Sequence, residues 1–112
     1  MNIHITGRHV EITQGMRDHI TEKLNHLGKL FDRIILDVNV VLSIEHSQNI
    51  AEATLHMPHQ PAVHATAYSG DMYSSIDMMT DKLKTQIQKH KEKEITERDH
   101  RKHGAGIEDT EE

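Results

Sequence analysis

Apolar residues fall into two rhythms along this chain. From Asp71 to Lys93, Met72, Ile76, Met79, Leu83 and Ile87 recur at steps of three and four, drawing one apolar stripe along an α-helix. A second stripe, Met16, Ile20, Leu24, Leu27 and Phe31, predicts an earlier helix with Thr13 as its N-cap. Gly15 weakens that helix, and Gly28 is expected to mark its fraying end.

Elsewhere the period is two. Residues 2–7 put Ile3 and Ile5 on one face and Asn2, His4 and Thr6 on the other. From Ile34 to Glu45, Ile34, Leu36, Val38, Val40, Leu42 and Ile44 face one way, against Asp37, Asn39, Ser43 and Glu45. Ala51, Ala53, Leu55 and Met57 alternate with Glu52, Thr54 and His56, and Val63, Ala65 and Ala67 with His64, Thr66 and Tyr68. Each run is a half-buried strand. A polar turn at 46–49 closes a hairpin, Pro58 and Pro61 bracket the next turn, and Ser69 and Gly70 end the fourth strand.

Because every strand is apolar on one face only, both helices must cover that face. The expected fold is α+β, a two-layer sandwich in the order β-α-β-β-β-α: a four-stranded mixed sheet with two helices on one face. The first helix links parallel neighbours and the later strands form an antiparallel meander. The small inward residues of the fourth strand leave room for a helix to lie close. Residues 1–95 are expected to form the domain. Past Lys93 the apolar period is lost, so a frayed helix end and a charged, mobile tail are expected over 96–112.

Composition narrows the function. The chain has 112 residues, enough for one modest core. Aromatics make up 3%, so the core is aliphatic and a base-stacking platform is disfavoured. The formal charge is −5, but Glu108, Asp109, Glu111 and Glu112 lie in the last five residues. The rest is close to neutral, so local patches rather than net charge select a partner. The chain has no cysteine, which excludes disulfides and thiolate metal sites and fits a reducing compartment. Neither a signal peptide nor a membrane span is legible, and a cytoplasmic, monomeric protein is expected.

The best candidate surface is basic. Lys82, Gln86, Lys89 and Lys93 repeat at helical spacing, and Lys84 and Lys91 form a second line seven residues apart. Asp71, Asp77 and Asp81 precede them, an order that suits the helix macrodipole and by itself needs no ligand. Lysines on the outside of a terminal helix ordinarily serve solvation. The nucleic-acid reading gains from the first helix, whose outer surface carries Lys23, His26 and Lys29. Two parallel helices would align these with Lys82 and Lys89 into a patch suited to phosphate contact and to recognising the shape of structured RNA. The open sheet face, with Asn39, Val41, Thr54, His56 and Thr66, leaves only Tyr68 able to stack a base.

Other chemistry has weaker support. Eleven histidines include the pairs His56 and His59, and His100 and His103. Without a second ligand pair at a defined interval they read as surface histidines, and no metal or other cofactor is expected. His26, His90, His100 and His103 would add charge against phosphate as pH falls. The chain lacks a phosphate loop, a cysteine nucleophile and a recognisable Ser, His and Asp arrangement, so it is not read as an enzyme. Of Met57, Met72, Met78 and Met79, only Met78 is expected outside the core.

The segments ITGRHVEIT, LGKLFDRI, AEATLHM and above all DMYSSIDMMTDKLKTQIQKHK resemble the short ribosome hibernation factors, the family of hibernation-promoting factor and ribosome-associated inhibitor A, also called sigma-factor modulation proteins. The resemblance covers about the first 95 residues. It implies a fold akin to the double-stranded-RNA-binding domain. It also implies binding to small-subunit ribosomal RNA where tRNA and mRNA would sit, with translation silenced in stationary phase or stress. By position, its RNA contacts would fall on Lys23, His26, Lys29, Lys82, Gln86, Lys89 and Lys93. The chain departs from the family pattern in carrying Thr85 where Arg is frequent, with the charge shifted to Lys84, and His26 where a permanent charge is common. The ribosome-pairing domain of the long form has no counterpart, so ribosome dimerisation would need a separate factor. The acidic tail resembles that of the inhibitor, which leaves open whether the protein promotes or opposes dimerisation. The rival reading is a protein-interaction or transcription-modulating module working through the polar sheet face.

Overall fold

Six elements follow in the expected order: β1 (Asn2–Arg8), α1 (Gln14–Phe31), β2 (Asp37–Glu45), β3 (Gln48–His56), β4 (Val63–Ser69) and α2 (Met72–His103). This computed structural model describes residues 1–31, 35 and 37–103, and side chains as far as Lys89 except that of Phe31. The sheet order is β1-β2-β3-β4, with β1 and β2 parallel and the other pairs antiparallel. Among the described residues no helix is long and apolar enough to cross a membrane.

The core is aliphatic, and its two halves are built differently. Under α2, Ala51 pairs with Ala67 and Ala53 with Ala65 across β3 and β4, and all four are buried. With a single methyl at each position the helix backbone can lie close on these strands. Met72, Ile76, Met79, Leu83 and Ile87, the expected stripe, are buried above them. On the other side Val38, Val40 and Leu42 of β2 share the core with Ile20, Leu24 and Leu27 of α1.

Both helices start at side-chain caps. Thr13 Oγ1 accepts the Met16 N–H at 3.1 Å, and Asp71 Oδ2 accepts the Ser74 N–H at 2.9 Å, each satisfying an amide that the helix cannot. A second fastener ties α2 to the sheet. The Asp71 N–H donates to Ser69 Oγ (3.2 Å), which lies 2.8 Å from Ser75 Oγ, and Ser75 donates to the Asn49 carbonyl at 2.6 Å. One proton per hydroxyl suffices for this relay, which explains how the fully buried Ser75 is satisfied.

The structure departs from the sequence expectations at several points. Gly28 does not end α1, which continues to Phe31. Regular pairing of β2 begins only at Asp37; Ile34 and Leu36 lie outside the described residues, while Ile35, which the alternation places facing outward, is buried. Ile44 is 40% exposed because it sits at the hairpin end, beyond the core that the helices cover. The hairpin turn is only His46 and Ser47, since Glu45 already pairs with Gln48. Helix α2 continues to His103, through the stretch where a fraying helix end is expected, and no Gly or Pro interrupts it before Gly104. The tail from 104 onward lies outside the described residues.

Two tight places limit substitution. A Cβ on Gly7 would collide with the Val10 carbonyl oxygen, so the chain can fold back after β1 only over a glycine. At the hairpin, His46 and Ser47 both have positive φ, 49° and 69°, the left-handed geometry that two-residue hairpins use and that side chains resist. The double substitution His46→Asn with Ser47→Gly is expected to stabilise the protein by about 1 kcal/mol, read as a higher melting temperature. Conversely, Ala53→Leu overfills the alanine floor and is expected to cost about 1–3 kcal/mol, read as a lower urea midpoint.

Candidate nucleic-acid interface

Helices α1 and α2 run side by side over the sheet, and a polar seam joins them. Asp77 Oδ1 accepts from His19 Nε2 at 2.7 Å and lies 3.3 Å from Lys23 Nζ. His19 in turn meets the Tyr73 ring edge-on, with centroids 5.2 Å apart. Tyr73 and Asp77 are four residues apart on α2, as are His19 and Lys23 on α1, so each helix presents both partners on one face. Lys23, expected on the outer surface, is therefore turned into the seam, while His26 and Lys29 are exposed.

The other flank of α2 faces the edge of the sheet. Lys82 Nζ donates to the Thr66 carbonyl at 2.7 Å, and Gln86 Nε2 donates to the His64 carbonyl at 2.6 Å. β4 is the last strand, so these carbonyls have no neighbouring strand, and the two side chains cap an edge that would otherwise invite pairing. Lys82 lies five residues beyond Asp77, about 140° round the helix; Lys84, seven beyond, returns to the seam side.

The candidate residues thus divide into two groups instead of forming the single aligned patch expected. Lys23 and Lys84 border the seam, together with α1; Lys82, Gln86 and Lys89 follow the β4 flank. Lys29, Lys82, Lys84 and Lys89 make no ion pair with a described acid. The side chains of Lys91 and Lys93, and those of His90, His100 and His103, lie outside the described residues. Thr85 Oγ1 donates to the Asp81 carbonyl at 3.1 Å, an intrahelical bond that a longer basic side chain would not make. On α1, a shallow depression lined by Asp18, Glu22, His26 and Lys29 carries its acids toward the N-terminal end, so its cationic part is the C-terminal half.

The open sheet face offers little stacking surface: Tyr68 is exposed, with Arg8 and Glu52 3.8 Å apart beside Val41 and Ile50. Among the described residues no group of three or more His, Cys, Asp or Glu could hold a metal ion. Sequence reading misses the seam. Spacing alone casts Asp77 as a dipole acid, and the only local signal for its other role is the matched spacing of Tyr73 with Asp77 and His19 with Lys23.

Burial acts to raise the Asp77 pKa, but the hydrogen bonds and charges of His19 and Lys23 outweigh it, and the carboxyl is held below its ordinary 3.8. The unfolded chain then holds this proton more tightly than the folded one. The stability that Asp77 contributes is fully present well above pH 3.8 and is lost as pH falls through that value and then through the lowered one. Asp77→Asn is therefore expected to lose less stability than the wild type between neutral pH and about pH 3, measured as the urea midpoint at each pH.

Known proteins resemble this one in both fold and sequence. The family model described as "Sigma 54 modulation protein / S30EA ribosomal protein" matches residues 3–95. A ribosome hibernation promoting factor of Pseudomonas putida is 45% identical over 94 residues, covering 84% of this chain and 90% of the relative. A ribosomal subunit interface protein from Coxiella burnetii superposes with a TM-score of 0.75 at 31% identity, covering 81% of this chain and 98% of that one. The N-terminal domain of Thermus thermophilus Protein Y gives 0.72 at 33% identity, covering 80% and 99%. With a family match across most of its length, and relatives this similar, the chain belongs to the Sigma 54 modulation protein / S30EA ribosomal protein family.

Proposed function

We propose that this protein is a ribosome hibernation factor that binds small-subunit ribosomal RNA in the tRNA and mRNA channel. It silences translation by occupying that space, in stationary phase or stress, within the cytoplasm. The observation that carries the reading is the set of exposed lysines on α2, Lys82, Lys84 and Lys89, without an acidic partner among the described residues in a chain of net negative charge. Left unneutralised on a folded surface, they suit a polyanion whose phosphates are spaced along a groove. The names of the relatives, ribosome hibernation promoting factor and ribosomal subunit interface protein, support the ribosome as that partner.

Occlusion needs no chemical step. A folded body held by phosphate contacts to both basic groups excludes tRNA and mRNA in proportion to its occupancy. His26, Lys29, Lys91 and Lys93 extend the proposed contact along the two helices. In this reading the protein promotes pairing of silenced ribosomes alongside a separate dimerising factor, or opposes it if its acidic tail acts as the inhibitor's does.

The test is ribosome co-sedimentation of a Lys23→Gln, Lys82→Gln, Lys89→Gln triple variant, in which glutamine preserves a donor for the β4 edge. Each lost phosphate contact should flatten the log–log salt dependence by roughly 0.7–0.9, with binding lost at physiological salt. Normal co-sedimentation of the folded variant would overturn the assignment of the binding face.

A further inference from the structure

We propose that Asp77 is a positioning residue for RNA contact: it holds Lys23 at the seam between α1 and α2, in place for a phosphate. This rests on the ribosomal-RNA reading above. Simple electrostatics points the other way, since a carboxylate within an RNA-binding surface repels phosphate, and its removal should tighten binding.

The geometry favours positioning. Asp77 Oδ1 lies 3.3 Å from Lys23 Nζ and 2.7 Å from His19 Nε2. An ammonium has three donors, so Lys23 can face Asp77 and still offer protons to a phosphate oxygen. A lysine stem is rich in rotamers, and one already held in place loses less freedom on binding. The anchor is itself held. The His19 ring lies edge-on to Tyr73, and the Tyr73 hydroxyl sits so close over Gly15 that a Cβ there would be 2.7 Å from it. Tyr73, His19, Asp77 and Lys23 thus form a chain of contacts that ends on a cation. Lys84, two turns past Asp77 on the same side of α2, extends the seam with a second cation.

The experiment measures small-subunit affinity across a salt series for the wild type, Asp77→Asn, Asp77→Glu, Lys23→Gln, the Asp77→Asn/Lys23→Gln double variant and Lys89→Gln, with thermal melts of each. Positioning predicts that Asp77→Asn weakens binding roughly threefold to tenfold and flattens the salt slope by about 0.7–0.9, as Lys23→Gln does. The double variant should bind no worse than the weaker single one, and Asp77→Glu should recover part of the loss. Unchanged or tighter binding by Asp77→Asn, additive losses in the double variant, or a lower melting temperature with an unaltered salt slope would each overturn the proposal. Lys89→Gln separates the two levels. If it weakens binding while Asp77→Asn does not, positioning fails and the RNA reading stands; if neither lysine variant loses affinity, the RNA reading itself fails.

Discussion

The close approach of α2 to β3 and β4 is the constraint on which the other features depend. Ala51, Ala53, Ala65 and Ala67 form two facing pairs, and their small side chains bring the helix down onto the sheet. Only at that height can Lys82 and Gln86 reach the β4 carbonyls, and only there does Ser75 touch the Asn49 carbonyl. The alanines themselves bury little apolar area; the bulk of the core comes from the α2 stripe above them and from α1 and β2. A single added branch under the helix would disturb the sheet edge and the helix start together.

The polar parts of α2 follow from that placement. Its flanks meet different neighbours, the β4 edge on one side and α1 on the other, so lysines that look equivalent by spacing enter different environments. Lys82 already serves a backbone carbonyl, whereas Lys84 and Lys89 are held by no described acid. The acids of α2 also differ. Asp71 is consumed in capping and Asp77 in joining the helices. Among the described ion pairs and hydrogen bonds only Asp77 joins α2 to α1, and it depends on a histidine and a lysine that the chain supplied more than fifty residues earlier.

What was legible in the sequence was whatever depends on local period. The stripe from Met72 to Ile87 and the alternation of β3 and β4 follow from geometry that repeats every two or 3.6 residues, the Thr13 cap follows from the hydroxyl that precedes the first helical stripe, and all are present. Period alone fails where an element outruns its covering, as at Ile44, and it does not mark where a helix stops, as in α2, which continues past Lys93 to His103. The candidate basic positions were legible as residue types, but their grouping was not. Whether Lys23 faces solvent or Asp77, and whether Lys82 faces solvent or Thr66, is decided by how the helices lie against each other and the sheet, and no spacing within one element encodes that.

The capped β4 edge bears on how much of this protein a cell can hold. Under the proposed mechanism, in which the protein occupies ribosomes one for one, it must accumulate to match them, and at such abundance an open strand edge is a template for self-association. Lys82 and Gln86 close that template with their own donors, so residues in the proposed contact surface also guard solubility. Selection on this flank therefore answers to two pressures at once, and a substitution that left RNA affinity intact but removed the donor would still carry a cost in colloidal behaviour.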